Sequence, residues 1–149
     1  MSGHWANTGA RYILVPNLAD LGDTPFGALQ GPETQAFLSG VSQAFNGALA
    51  SAMSELEQSL DGRVQITVFD TFAVQRQIMR RPRLFGFTNT TSLCRDTPDA
   101  LPACQGFLFF DEVHPTTDAH RILGVLFAAS CAHFGKSCFS GVGRELLAP

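Results

Sequence analysis

The run Asp111-Glu112-Val113-His114 places a carboxylate three residues ahead of an imidazole. In the turn before a helix, that spacing lets the carboxylate fold back onto the ring's Nδ1. Such a contact fixes the tautomer, orients the ring and stabilises the imidazolium formed when the histidine takes a proton from a nucleophile. Asp and His also serve as plain helix-end residues, so the spacing by itself leaves a capping or surface role open. Leu21-Gly22-Asp23-Thr24 offers a hydroxyl, but Thr24 could act as a nucleophile only with its base within hydrogen-bond reach. His120 is expected on the wet face of the last helix, His133 near that helix's end, and His4 in a disordered start. Asp111, His114 and His120 have the right types for a metal, yet no spacing compels one. Phe107, Phe109 and Phe110 could line an acyl pocket; core packing is the expected role. Asp20, Asp23 and Asp70 read as ordinary loop or strand-end acids.

The elements that must position these residues are readable from periodicity. Arg11 to Pro16 is a short apolar run rich in strand formers and stopped by proline, the pattern of a buried parallel strand. Asn17 to Gly31, punctuated by Gly22, Pro25, Gly27 and Gly31, is expected as a loop. From Pro32, apolar residues recur at Phe37, Val41, Phe45, Leu49, Met53, Leu56 and Leu60, predicting a helix of about 28 residues with one stripe packed on a sheet. Gly62 is expected to close it. Val64 to Phe69 alternates as a second strand, and Phe72 to Arg80 forms a helix before Pro82. Phe85 to Gln105 is loop-like, and Gly106 to Phe110 is a short apolar segment leading into Asp111. Thr116 or Thr117 caps a last helix running to about Phe134, with Gly135 at its end and Ile122, Leu123, Leu126 and Ala129 facing inward. The alternation of strands and helices predicts an α/β domain with a parallel sheet. Two clear strands are few for such a sheet, so the chain reads as the C-terminal half of a doubly wound fold.

The chain has 149 residues, enough for one domain, with 45% hydrophobic and only 15% charged residues. That charged fraction is well below the usual quarter or so, which points to apolar surface that something else normally covers. A net charge of −3 with no concentrated Lys/Arg face argues against nucleic-acid binding. The short cluster Arg76 to Arg83 reads as a solvated helix terminus. No apolar run reaches the length of a membrane span, and the start lacks a signal-peptide pattern. Cys94 and Cys104 bracket a polar, proline-containing loop, where a disulfide is expected; that would go with an exported parent protein. Cys131 and Cys138 are left open between a second disulfide and buried thiols. Neither spacing suggests zinc.

Phe109 to Gly124, reading FFDEVHPTTDAHRILG, resembles the last block of the GDSL/SGNH hydrolases, in which D-x-x-H-P-T carries the acid and base of a catalytic triad. GARYILVPNLADLGDTP at Gly9 to Pro25, AFNGAL in the long helix, VFDTF at Val68 to Phe72, and GFTNTTSLC at Gly86 to Cys94 also resemble that family, bacterial GDSL lipases and autotransporter passengers included. The matched segments run in the family's order from Gly9 to about Phe134. The resemblance implies a flavodoxin-like SGNH fold, ester hydrolysis without a cofactor, Asp111 as triad acid and His114 as general base. It also implies that Cys94 and Cys104 close the loop before the final block. The family's Gly-Asp-Ser block, its oxyanion-hole glycine and its Gly-x-Asn-Asp block are absent from these residues. The expectation is therefore one partial domain over residues 1–149, with 1–8 disordered and 135–149 a tail. It would be inactive alone and would be completed by an N-terminal segment or by self-association, unless it is a non-catalytic remnant that pairs with another chain. In the intact parent the substrate would be an acyl ester or lipid.

Overall fold

A computed structural model describes residues 9–132. The expectations for the start, for Gly135 and the tail, and for a Cys131–Cys138 pairing lie outside the described residues. β1 (Tyr12–Pro16) and β2 (Gln65–Phe69) pair in parallel, with Ile13 opposite Ile66 and Val15 opposite Val68. The Asn17 N–H donates to the Phe69 carbonyl and the Gln65 N–H to the Arg11 carbonyl, extending the ladder by one bond at each end. The fold is thus α/β with a parallel sheet, of two strands among the described residues.

Between the strands the chain makes α1 (Pro25–Leu29) and α2 (Pro32–Ser59). The first corrects the expected continuous loop. Thr24 caps it by accepting the Gly27 N–H, and Pro25 supplies a preset φ at its first turn. Five residues leave no periodic signature to read. α2 has the predicted length, and it ends at Leu60 ahead of Asp61 and Gly62, both with positive φ.

The face that α2 turns inward is not the predicted stripe. Phe37, Val41 and Phe45 are exposed, Phe37 at 68% and Phe45 at 53%. One step round the helix, Ser39, Ser42 and Asn46 bind the loop after β1. The Ser42 hydroxyl accepts the Leu21 N–H at 3.1 Å, and the Asn46 side chain both accepts from and donates to the Leu18 backbone, at 2.8 and 2.7 Å. Only further along, at Leu49, Met53, Leu56 and Leu60, does the apolar stripe become half-buried or buried. Glu57 accepts the Ile66 N–H at 2.9 Å, tying α2 to the strand it leads into.

After β2, Asp70 caps α3 (Thr71–Arg80) by accepting the Ala73 N–H. Pro82 ends that helix in a 3-10 turn, and two more such turns follow within the loop to residue 105. The last helix, α4, is described over Thr117–Ala132. Phe87, Leu108 and Phe109 from the loops, Ile78 from α3 and Ala119 from α4 form the core, with Val74, Met79, Phe85 and Ile122 packed on it. Phe127 of α4 meets Phe69 edge-to-face at 4.6 Å. Of the inward face expected for α4, Ala129 is instead exposed, while Ala119 and Cys131 are buried. No helix among the described residues is long and apolar enough to cross a membrane.

Candidate active site

The site is a tight loop between the core and α4. Leu108 and Phe109 are buried, anchoring the segment that leads to Asp111. Phe109 bridges to Pro115, and the Phe110 N–H donates to the His114 carbonyl at 2.8 Å, closing the turn. Thr116 fastens the far side. Its N–H donates to the Leu108 carbonyl, its hydroxyl donates to the Phe107 carbonyl at 2.8 Å, and it caps α4 by accepting the Ala119 N–H.

Inside this turn Asp111 faces His114. The Nδ1 of His114 lies 2.8 Å from Oδ2 and 3.0 Å from Oδ1. Oδ1 also accepts the backbone N–H groups of His114, at 2.7 Å, and Val113, at 3.0 Å. The His114 N–H, then the Val113 N–H, hold the carboxyl pKa down at about 2; burial opposes them, and the His114 ring adds to the lowering. At neutral pH the carboxylate can therefore only accept, so Nδ1 must carry the ring proton. That leaves Nε2 as the accepting nitrogen, on a side chain that is 76% exposed. An imidazole held this way can receive a proton at Nε2 and be stabilised as it becomes charged.

Two further contacts steady the loop. The Phe26 N–H of α1 donates to the Glu112 carbonyl at 2.9 Å. A Cys94–Cys104 disulfide, with Cα atoms 5.5 Å apart, closes the preceding loop, from which the Cys94 N–H donates to the Phe109 carbonyl. Phe110 and Val113 flank the dyad and are partly exposed, whereas Phe109 lies in the core and Phe107 is half-buried.

The other candidates do not join this site. The Thr24 hydroxyl donates to the Leu21 carbonyl at 2.6 Å and is buried as the α1 cap, committed to structure rather than to an imidazole. His120 turns Nδ1 toward the Thr116 carbonyl at 3.0 Å, and no group among the described residues could hold a metal. Asp20, read from sequence as an ordinary loop acid, is buried: its carboxylate accepts the Gly22 N–H and the Ser39 hydroxyl. Burial, then the nearby Asp20 charge, push the Asp23 pKa up against the pull of Arg76 and Arg80.

The α/β layer presents this Asp–His pair on a loop, and comparison with known proteins assigns the chain to a family. The chain belongs to the GDSL-like lipase/acylhydrolase family, whose model matches residues 1–127. It is 28% identical to a GDSL esterase/lipase of Arabidopsis thaliana over 147 residues, covering 87% of this chain and 39% of the relative. A second GDSL esterase/lipase of that plant is 29% identical, covering 77% of this chain and 36% of the relative. The plant's anther-specific proline-rich protein APG is 25% identical, covering 84% and 26%. The chain therefore spans about a quarter to two-fifths of the length of the relatives it matches.

Proposed function

We propose that this chain contributes the acid and base of a Ser-His-Asp triad to an ester hydrolase, as the C-terminal part of an SGNH-type fold. His114 accepts the proton of a serine hydroxyl as it attacks an acyl ester or lipid carbonyl, and returns it to the leaving group. Asp111 holds the ring and stabilises the imidazolium. The serine and the oxyanion-hole donors come from outside these 149 residues, from an N-terminal complementing segment, and no cofactor takes part. The observation that carries this reading is the 2.8 Å contact between a carboxylate ionised down to pH about 2 and Nδ1 of an exposed imidazole.

The test is intact mass after fluorophosphonate treatment, combined with hydrolysis of a short p-nitrophenyl ester. The folded chain alone is expected to give no adduct. Co-expressed with a Gly-Asp-Ser-bearing segment encoded upstream, the complex is expected to label and turn over. His114→Ala should lower that turnover about 10⁴-fold or more, because triad residues act as a unit. An adduct on the isolated chain that His114→Ala removes would place a nucleophile within these residues and sink the division of labour.

A second reading is a non-catalytic module that pairs with another chain. The exposed Phe37, Val41 and Phe45 on α2 favour it. The same labelling experiment separates the two, because this module would stay inert in every combination.

A further inference from the structure

Arg95 touches the loop on both sides of Asp111. Its backbone N–H donates to the Phe110 carbonyl at 3.0 Å, and its guanidinium Nη2 pairs with the Glu112 carboxylate. The Glu112 carbonyl in turn accepts the Phe26 N–H at 2.9 Å. Residues 110 and 112 are thus held from the disulfide loop and from α1, and Asp111 is the residue between them. Arg95 also lies 3.5 Å from the Asp96 carboxylate, so its head sits between two acids, one on its own turn and one on the dyad loop.

We propose that Arg95, acting through Glu112, is a positioning residue that sets the aim of the Asp111 carboxylate at His114. The value of this clamp to any hydrolysis rests on the catalytic reading above; its effect on the dyad's geometry does not. Both side chains are partly exposed, and an exposed ion pair contributes little to stability. The expected consequence of breaking it is a looser dyad in a chain that remains folded. The Asp111–His114 contact is short and made within one turn, so it should weaken in degree rather than vanish.

The measurement is the solvent-exchange rate of the His114 Nδ1 proton by NMR on the full chain, read beside the backbone amide spectrum as a control of folding. Arg95→Glu sets like charges against each other across the clamp and is expected to speed exchange roughly three- to tenfold. The swap Arg95→Glu with Glu112→Arg restores the pair in reverse and should return the rate to within about twofold of the parent's. Should Arg95→Glu unfold the chain, Arg95→Gln carries the test, with a smaller acceleration in the same direction. Unchanged exchange in a folded variant, or a swap that loses as much as the two single changes together, overturns the proposal. Because exchange is read without substrate or serine, this result is independent of whether His114→Ala abolishes turnover in the completed enzyme.

Discussion

At the scale of single residues, the loop asks one carboxylate to do three things. Asp111 accepts two backbone N–H groups that shape the turn and also accepts a hydrogen bond from the imidazole Nδ1–H. A neutral amide could imitate part of the shape but not the charge. The sign of the pH effect follows from the depressed pKa. A carboxyl that titrates at about 2 when folded and near 3.8 when unfolded stabilises the fold fully above pH 4, and loses that contribution as pH falls through 2. Asp111→Asn is therefore expected to lower unfolding free energy at pH 6 by about 1 kcal/mol, a charge-assisted value reduced for solvent screening. That gap should narrow steadily between pH 4 and pH 2. Urea titrations of both proteins across this range check it. A gap equally wide at pH 2 would mean that the charge is not what the turn uses. The dyad was legible in the sequence because both partners lie within one turn. Arg95 and Glu112 were not, because they stand 17 residues apart and meet only through the folded disulfide loop.

Among elements, the strands, α2 and α3 were legible because each carries a periodic pattern and a stop signal that local physics enforces. The five-residue α1 was not, since a single capped turn with one glycine looks like any loop. The orientation of α2 was misread for an instructive reason. Periodicity locates an apolar stripe but assumes that the stripe faces the core, whereas here Ser42 and Asn46 bond loop backbone and Ser39 donates to the Asp20 carboxylate, groups that no apolar residue could satisfy. Polar recognition wins that half of the helix because leaving buried backbone groups unpaired costs about 1–3 kcal/mol each. The packing is also close. A Cβ at Gly22 would lie 2.1 Å from the Ser39 hydroxyl oxygen and 2.4 Å from the Gln35 carbonyl oxygen. The hydroxyl could rotate away, but the carbonyl belongs to the helix backbone and cannot. Gly22→Ala should push the loop off α2 and destabilise the chain by about 1–3 kcal/mol, the usual cost of overpacking. A denaturation midpoint indistinguishable from the parent's would show that the loop has room to retreat. α1, docked on the dyad loop through Phe26, would feel such a shift directly.

At the scale of the whole molecule, the large apolar residues divide between a packed core and an exposed row on α2. The core of Phe87, Leu108 and Phe109 with α3 and α4 is closed beneath the dyad. Phe37, Val41 and Phe45 stand open along the first half of α2, on a chain spanning at most 39% of the relatives named above. Three large apolar side chains in one row form the kind of patch that monomers rarely leave uncovered. If the row is truly outside the core, replacing Phe37 and Phe45 together by Ser should leave unfolding free energy within about 0.5 kcal/mol of the parent, as surface substitutions do. It should also abolish concentration-dependent association in sedimentation velocity. A face that instead packs within this chain would report itself by a loss near the 3–5 kcal/mol that deleting one buried Phe costs. The two results are far enough apart that one pair of melts decides. Full stability with lost association would make the row on α2 a face through which copies of this chain meet, while the dyad loop stays braced from within by the disulfide loop and α1.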